Sequence, residues 1–268
     1  MALFSHPASR THQRKASIPL RRGLSFCYDE DTMSAYKRIM VKLSGEALAG
    51  SGDFGLEKEA LHRIAQEIVQ VKNEGIDVAV TVGGGNIWRF RDQKESGIER
   101  TASDAMGMLA TIMNAVGLQA AIEDLGAESR VCSAIDVPQL AEPYLKRRAV
   151  RHLQKGRIVI CAGGTGNPYF TTDSAAALRA LELNCDIILK ATNVDGVYDK
   201  DPKKHKDAKK YETLTLQEAI EKGLGVMDQA ALSLCREQGI GVVVFDFSKQ
   251  GNLLRVVKGE KVGTRVTP

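Results

Sequence analysis

Short apolar runs alternate along the chain with longer segments in which apolar residues recur every three or four positions. The short runs are rich in β-branched residues, as is typical of buried strands, and read KRIMVKL (37–43), DVAVTV (77–82), SRVCSAI, RIVICAG, DIILKAT and GVVVFDF. The periodic segments predict helices in LEKEALHRIAQEIVQVKNEG, from Ser103 to Leu125, in RRAVRHLQKG and in QAALSLCREQG. Such alternation predicts an α/β fold whose mainly parallel sheet is covered by helices on both faces.

Glycines and polar side chains cluster directly after four of the predicted strands. The four segments are Lys42 to Glu46, Gly83-Gly84-Gly85-Asn86, Gly163-Gly164-Thr165-Gly166-Asn167, and Lys190 to Gly196. In an open α/β sheet, ligands bind beyond the carboxyl ends of the strands. Glycine lets the backbone approach a ligand and point N–H groups at phosphate oxygens. The sequence therefore predicts a phosphate-binding site at this edge of the sheet.

The familiar phosphate-binding signatures do not account for these turns. A Walker A loop requires the dipeptide Gly-Lys, which never occurs in the chain. GSGDFG (50–55) spells G-x-G-x-x-G, but it lies several residues beyond the first strand instead of directly at its end. It also contains the D-F-G of protein kinases, without the H-R-D loop that should precede it. Phosphate binding here requires a different scaffold.

The stretch TGNPYFTTDSAAALRALE (165–182) sets four polar side chains in front of an Ala/Leu-rich helix. They are Thr171, Thr172, Asp173 and Ser174. One capping side chain is enough to begin a helix, so capping explains one of these residues and not the group. We therefore expect the group to bind a ligand as well as to cap the helix.

Composition narrows the class of protein without indicating a function. The chain has 268 residues and a net charge of +4, which suits a globular α/β protein and is too small to predict nucleic-acid binding. No apolar run approaches the ~20 residues that span a bilayer. The five cysteines form no C-x-x-C pair, and Cys132, Cys161 and Cys185 are predicted to be buried free thiols in a reducing compartment. The basic run KDPKKHKDAKK (200–210) predicts a solvated loop, or else a loop beside an anionic substrate.

Residues 1–32 differ from the rest of the chain. From Met1 to Tyr28 the segment contains basic residues and serines, no acidic residue and no periodic pattern. This composition is typical of an organellar transit peptide. A start codon assigned too far upstream is the interpretation we favour, because MSAYKRIMVKLSGEAL begins at Met33, just before the first strand. In either case we expect residues 1–32 to be disordered and residues 33–268 to form the functional domain.

A series of motifs resembles one known family. The motifs are KLSGEAL (42–48), VGGGNIWR (82–89), DAMGMLATIMNA (104–115), GTGNPYFTTDSAA (164–176), LKATNVDGVYDKDP (189–202) and VMD (226–228). In their order and spacing the chain resembles the bacterial UMP kinases (uridylate kinases) of the amino acid kinase superfamily. The resemblance implies a three-layer αβα sandwich and transfer of the ATP γ-phosphate to UMP, which gives UDP and ADP in pyrimidine biosynthesis.

The resemblance also implies which residues contact each nucleotide. On the ATP side these are Lys42, Leu43, Ser44, Gly45, Gly85, Arg89, Thr192, Tyr198 and Asp201. On the UMP side they are Gly84, Asp104 at the ribose, and the loop Thr165, Gly166, Asn167, Pro168, Tyr169, Phe170, Thr171 and Thr172, whose two aromatic residues would flank the uracil. The segment associated with GTP regulation corresponds to Gly50, Ser51, Gly52, Asp53, Phe54 and Gly55, and here the sequence departs in detail from the family.

Further implications concern ions, effectors and assembly. Mg²⁺ would accompany ATP without a metal site made by the protein. Family members are typically cytoplasmic hexamers that are activated by GTP and inhibited by UTP, so we expect a homo-oligomer with no nucleic-acid or membrane partner.

Phosphoryl transfer needs little covalent chemistry from the protein, because its loose transition state mainly requires positioning and neutralisation of negative charge. We expect Lys42 and Lys190 to contact the transferring phosphate and Asp173 to orient both lysines. Two alternatives remain open. One is a related kinase that acts on a carboxylate, a carbamate or another phosphate, although DAMGMLAT and PYFTTD favour UMP. The other is a non-catalytic uridylate sensor.

Overall fold

The central sheet carries the residues of interest at one of its edges. The structure, a computed structural model, describes residues 36–89 and 97–268. Its strands are β1 (Arg38–Leu43), β2 (Asp77–Val82), β3 (Ser129–Ser133), β4 (Glu142–Pro143), β5 (Ile158–Ala162), β6 (Ile187–Thr192), β7 (Val197–Tyr198), β8 (Lys210–Tyr211), β9 (Thr213–Thr215), β10 (Gly241–Asp246) and β11 (Thr264–Thr267). Nine of them form one sheet in the order β4-β3-β5-β2-β1-β6-β10-β11-β9, and β7 pairs with β8 separately.

The sheet is mainly parallel, as the sequence predicts. Within the nine-stranded sheet of the described chain, β10 and β11 form the antiparallel pair. β1 is central and has β2 on one side and β6 on the other, both parallel to it. The chain leaves β1 toward β2 and later crosses back to β6, so β1 and β6 flank the switch point at which open α/β sheets bind ligands. The register places Lys42 of β1 directly opposite Lys190 of β6.

Helices cover both faces of the sheet. They are α1 (Lys58–Asn73), α2 (Arg100–Asp124), α3 (Lys146–Gln154), α4 (Thr172–Glu182), α5 (Leu216–Glu221), α6 (Gln229–Gln238) and α7 (Asn252–Val257), and a 3-10 helix covers Gly45–Leu48. One apolar core lies between the sheet and α1, α2 and α7. A second core lies on the opposite face, under α3, α4, α5 and α6. These two cores give the three-layer αβα arrangement.

The alternation of side chains along β1 explains which face of the sheet Lys42 occupies at the end of the strand. Ile39, Val41 and Leu43 point into the first core, whereas Met40 points into the second. Lys42 lies on the same face as Met40 because side chains alternate along a strand. This face is covered by α4, whose first turn contains Asp173.

Helix α2 is more apolar than the sequence analysis recognised. Among the described helices it is long and apolar enough to cross a bilayer, with a mean hydropathy of 1.5 in its most apolar stretch. Here one face of the helix packs in the core, where Ile112, Leu118 and Ile122 are buried against the sheet and α1. Its length and composition are therefore weak evidence for a membrane span.

The predicted elements and the observed ones agree closely at the long segments. Strand DVAVTV is observed at its predicted bounds. The long helix begins at Arg100 instead of Ser103 and ends at Asp124. Cys132, Cys161 and Cys185 are buried free thiols, as predicted, and Cys235 is a fourth; burial raises the pKa of Cys132 to about 12. The prediction for residues 1–32 lies outside the described residues.

Candidate active site

Two lysines and one aspartate form the charged centre of the site. Nζ of Lys42 lies 2.8 Å from Oδ1 of Asp173, and Nζ of Lys190 lies 2.9 Å from Oδ2 of the same carboxylate. Lys190 also donates to the backbone oxygen of Val226 at 2.6 Å. The three charged side chains are largely enclosed, at 12 to 14% exposure. Asp173 thus holds both ammonium groups at the carboxyl ends of β1 and β6.

Burial and ion pairing shift the pKa of the Asp173 carboxyl group in opposite directions. Burial disfavours the ionised form of Asp173, but the Lys42 and Lys190 ammonium groups outweigh it, so the pKa of Asp173 is lowered from its usual value. Burial lowers the pKa of Lys190, and the Lys42 charge lowers it further against the opposing pull of Asp173. The centre carries two positive charges and one negative charge, which leaves net positive charge for an anionic ligand.

The beginning of α4 explains why several polar residues precede Asp173. Thr171 is the N-cap, and its Oγ1 accepts from the backbone N–H groups of Asp173 at 3.0 Å and Ser174 at 3.4 Å. The Thr171 hydroxyl also donates to Oδ2 of Asp228, and Ser174 Oγ donates to the same carboxylate at 2.9 Å. Asp228 in turn caps α6 by accepting from the N–H of Ala231 at 2.8 Å. One carboxylate therefore joins the N-termini of two helices behind the charged centre.

A first cavity of about 410 Å³ collects most of the residues predicted for UMP. Its walls include Gly84, Asp104, Thr165, Asn167, Phe170, Thr171 and Thr172 of that set. They also include Gly85 and Arg89, which were predicted for ATP, and Glu46, which forms an ion pair with Arg89 at 2.7 Å. Gly84 allows close packing on α2, since a Cβ there would lie 2.7 Å from the backbone oxygen of Gly107.

Asp104 fixes one wall of this cavity. Its carboxylate accepts from Nε of Arg100 at 2.8 Å and from the backbone N–H of Tyr169 at 2.8 Å. Tyr169 has a φ of 70°, a left-handed conformation that is rare for a bulky residue. Arg100 lies over the Tyr169 ring, at 5.7 Å from its centroid. Asp104 thus connects α2 to the loop that precedes α4.

A second cavity of about 370 Å³ collects three of the residues predicted to contact ATP. Thr192, Tyr198 and Asp201 all line it. Tyr198 donates to Oδ1 of Asp195 at 2.6 Å, which fixes its ring at the wall. The basic run begins here, because Lys200, Asp201 and Pro202 line the cavity, although residues 201–207 are all exposed to solvent. That run is therefore solvated over most of its length and borders a cavity at one end.

The remaining predicted residues lie around these cavities. Gly166, Pro168 and Tyr169 belong to the first cavity's loop without lining it. The Leu43 side chain lies in the core, so only its backbone faces the site. Gly45 packs its backbone against Gly85 and Asn86. Residues 50–55 lie beyond the 3-10 helix, where Asp53 and Phe54 line a further cavity with Gly85 to Arg89.

Several functional contacts escaped sequence reasoning. VMD (226–228) is one of the family motifs, but nothing in the sequence indicates that Lys190 donates to Val226 or that Thr171 donates to Asp228. The i,i+4 spacing of Arg100 and Asp104 was a usable signal for their ion pair. Glu46 lies in the motif KLSGEAL, and nothing in the sequence indicates its ion pair with Arg89.

The fold and the site together define a class of protein. Two cavities lie at the edge of a parallel sheet, and each is lined by a residue within two positions of the charged centre: Thr172 precedes Asp173, and Thr192 follows Lys190 by two residues. The model of the amino acid kinase family matches residues 37–246 of the chain.

Comparison with individual proteins shows which branch of the amino acid kinase family the chain resembles. The uridylate kinase of Xanthomonas euvesicatoria pv. vesicatoria is 52% identical over 232 residues, which cover 87% of this chain and 97% of that protein. The structure of UMP kinase from Bacillus anthracis matches with a TM-score of 0.84 and 42% identity, covering 87% of this chain and 96% of that one. UMP kinase from Ureaplasma parvum matches with a TM-score of 0.82 and 37% identity, covering 87% and 99%. The chain belongs to the amino acid kinase family and, within it, to the uridylate kinases.

Proposed function

We propose that the chain is an ATP:UMP phosphotransferase that makes UDP and ADP for pyrimidine biosynthesis. The observation that carries the proposal is the position of the charged centre relative to the two cavities. Thr172, in the wall of the first cavity, directly precedes Asp173, and Thr192, in the wall of the second, follows Lys190 by two residues. UMP in the first cavity and ATP in the second would therefore direct their phosphates toward Lys42 and Lys190.

The chemistry follows from that placement. A phosphate oxygen of UMP attacks the γ-phosphorus of ATP, and the bond from γ-phosphorus to the β,γ-bridging oxygen breaks, so ADP leaves with that electron pair. Lys42 and Lys190 neutralise charge on the transferring group, and the N-terminus of α4 adds about half a positive charge. Asp173 orients the two ammonium groups. The attacking oxygen is already anionic, so no general base is required.

Magnesium fits this site as an ion that ATP brings with it. In residues 36–89 and 97–268, no group of three or more His, Cys, Asp or Glu side chains is placed to hold a metal. The central carboxylate, Asp173, is occupied by two ammonium groups. Mg²⁺ commonly binds through substrate phosphates with few protein ligands, and there it would neutralise phosphate charge.

The substrate assignment is tested with a panel of acceptors. Purified protein is incubated with Mg·ATP and UMP, CMP, aspartate or acetylglutamate, and ADP release is measured. We expect rapid ADP formation with UMP and at most slow formation with the other three. Preferred turnover of a carboxylate would assign the chain to another branch of the family. Binding of UMP and ATP without ADP formation would favour the sensor alternative.

We also propose that the enzyme works in the cytoplasm as a homo-oligomer, a hexamer, whose activity responds to GTP and UTP. Support for assembly comes from α2, where Met106, Leu109, Met113 and Val116 form an exposed apolar stripe. Their spacing of three and four residues places them on one face, as in helices that pair. A second copy of the same stripe is the occupant we assign to it. Support for a reducing compartment comes from the buried free thiols.

A further inference from the structure

Two buried amide side chains, Asn86 and Asn114, lie directly behind the glycine turn of the site. Asn86 is 1% exposed and Asn114 is 0% exposed. Nδ2 of Asn86 donates to Oδ1 of Asn114 at 3.0 Å, and Nδ2 of Asn114 donates to Oδ1 of Asn86 at 2.7 Å. An amide group has two N–H donors, so each side chain retains one donor for a partner outside the pair.

The two remaining donors bind different segments. Asn114, on α2, donates to the backbone oxygen of Gly83 at 2.6 Å. Asn86 donates to the backbone oxygen of Gly55 at 2.6 Å, and the N–H of Gly55 donates to the backbone oxygen of Asn86 at 2.9 Å. The pair therefore joins α2, the glycine turn 83–86 and the loop 50–57.

Only amides satisfy this arrangement. The backbone oxygens of Gly83 and Gly55 can only accept, so each side chain needs a donor toward the backbone and another toward its partner. A carboxylate of the same shape has neither donor. The packing is also close, because a Cβ on Gly45 would lie 2.4 Å from Oδ1 of Asn86. A displaced Asn86 would therefore disturb Gly45 and the glycine turn together.

The loop 50–57 is closed by its own contacts. The Glu57 carboxylate accepts from the Ser51 backbone N–H at 3.1 Å and from Ser51 Oγ at 3.0 Å. The backbone N–H of Glu57 donates to the oxygen of Leu48 at 2.9 Å. A closed loop passes a displacement at one end to the other, which here is Gly55 and the amide pair.

We propose that the Asn86–Asn114 pair is a positioning element that transmits the conformation of the loop 50–57 to the glycine turn 83–86. The proposal rests on the proposed function, since the turn borders the predicted nucleotide contacts. The hydrogen bonds of the two amides go to each other and to the backbone of Gly55 and Gly83, not to Lys42, Asp173 or Lys190. The pair acts by holding the turn at the distance that the phosphates require.

The first test replaces the amide of Asn114, which donates two hydrogen bonds, with a carboxylate of nearly the same shape, which donates none. Asn114→Asp should lower kcat for UMP-dependent ADP formation by up to about 10²-fold, because small displacements of positioning groups have effects of that size. The KM values should change much less. The single tryptophan, Trp88, lies two residues beyond Asn86 and donates to Ser103 Oγ at 2.8 Å, so its fluorescence should shift. Asn114→Ser is the second variant if the aspartate prevents folding.

The matched control is Asn252→Asp. Asn252 lies on α7, is 4% exposed and lines neither nucleotide cavity. Its side-chain amide donates to the backbone oxygen of Asp246 at 2.8 Å. The free energy of unfolding of Asn252→Asp should fall by about as much as that of Asn114→Asp. Its kcat and its Trp88 emission should stay at the native values. Equal kinetic loss in both variants would overturn the positioning role.

The second test measures whether a change in the loop 50–57 reaches the glycine turn 83–86 through the amide pair. Glu57→Ala opens the loop and should change kcat and Trp88 emission in the native background, and that change should disappear in the Asn114 variant. Additive effects would overturn the coupling. Absence of UMP-dependent ADP formation by the native protein would refute the proposed function instead, and Trp88 emission would still decide whether loop and turn are coupled.

Discussion

At the scale of single residues, the site depends on one carboxylate that holds two ammonium groups. Asp173 is paired with Lys42 and Lys190 at less than 3 Å, and its lowered pKa keeps it ionised at neutral pH. An ionised Asp173 stabilises the folded chain above the pKa it has when unfolded, and this contribution is lost as pH falls through its lower folded pKa. Burial lowers the pKa of Lys190 below its usual value, and the charge of Asp173 opposes that shift in part.

Asp173→Asn should therefore move the alkaline limb of the kcat profile to lower pH. The pKa of Lys190 already lies below the usual lysine value of 10.5, and removal of the carboxylate removes a charge that raises it. Lys190 would then lose its proton at a lower pH. The measurement is kcat as a function of pH for the native protein and for Asp173→Asn. Ionisation of the substrates affects both profiles equally, so a difference between them comes from the protein. An alkaline limb that stays in place or moves upward would contradict this electrostatic account.

Asp104→Asn tests the assignment of the first cavity. Asp104 contacts Arg100 and the backbone of Tyr169, and we expect its other lone pairs to accept from the UMP ribose. Loss of a hydrogen bond to a charged acceptor should raise the KM for UMP roughly ten- to a hundredfold. Steady-state kinetics with each substrate varied in turn gives the answer. A rise confined to the KM for ATP would mean that the cavities are exchanged.

Sequence reasoning had clear limits at this scale. It identified Lys42, Asp173 and Lys190, because lysines at strand ends and excess polar residues before a helix are visible in one dimension. It gave Asp228 no role, since the contacts of Asp228 to Thr171 and Ser174 join positions 57 and 54 residues apart. Such contacts follow only from the packing of α4 against α6.

At the scale of elements, α4 is the helix that orients the charged centre. Its N-cap, Thr171, binds two N–H groups, one of them that of Asp173. Thr171→Val keeps the shape and removes the cap, so we expect the free energy of unfolding to fall by about 1 kcal/mol. We also expect kcat to fall, because Asp173 loses a constraint. Thermal denaturation and ADP-release kinetics measure the two effects.

Thr215→Val provides the comparison for that variant. Thr215 caps α5 by accepting from the N–H of Glu218 at 3.1 Å, and it lines neither nucleotide cavity. It should lose similar stability with kcat unchanged. Retention of full kcat by the Thr171 variant would show that the cap is structural only.

Long elements were predictable and short ones were not. The apolar runs of β1, β2, β5, β6 and β10 contain five or six residues, enough to show a pattern. Strands β4, β7 and β8 contain two residues each, which is too short for any periodicity. They exist because neighbouring strands and loops offer partners, and that information is not local.

At the scale of the whole molecule, the proposed assembly predicts that the α2 stripe is the contact between copies of the chain. Met113 is 57% exposed at the middle of the stripe, so Met113→Lys should place charge in the interface and shift the protein to smaller assemblies. Analytical ultracentrifugation measures this. Gln70→Lys, on an exposed position of α1, should leave the assembly unchanged. An unaltered sedimentation coefficient for the Met113 variant would place the interface elsewhere.

The whole-molecule arrangement was accessible from sequence because each βα turn pointed to the same edge of a parallel sheet. The sequence predicted that Asp173 would orient both lysines, as it does, but not that Lys42 and Lys190 lie opposite each other on adjacent strands, because strand order decides which turns are neighbours. That pairing underlies the proposed mechanism, in which two ammonium groups on adjacent strands would hold both phosphates for direct transfer. Removing either charge tests it most directly.

The decisive measurement is kcat for UMP-dependent ADP formation by Lys42→Ala and by Lys190→Ala, at saturating Mg·ATP and UMP. We predict a fall of ~10²–10³-fold for each, the size seen when a donor to developing charge is removed. A kcat within a few-fold of the native value in either folded variant would contradict the account.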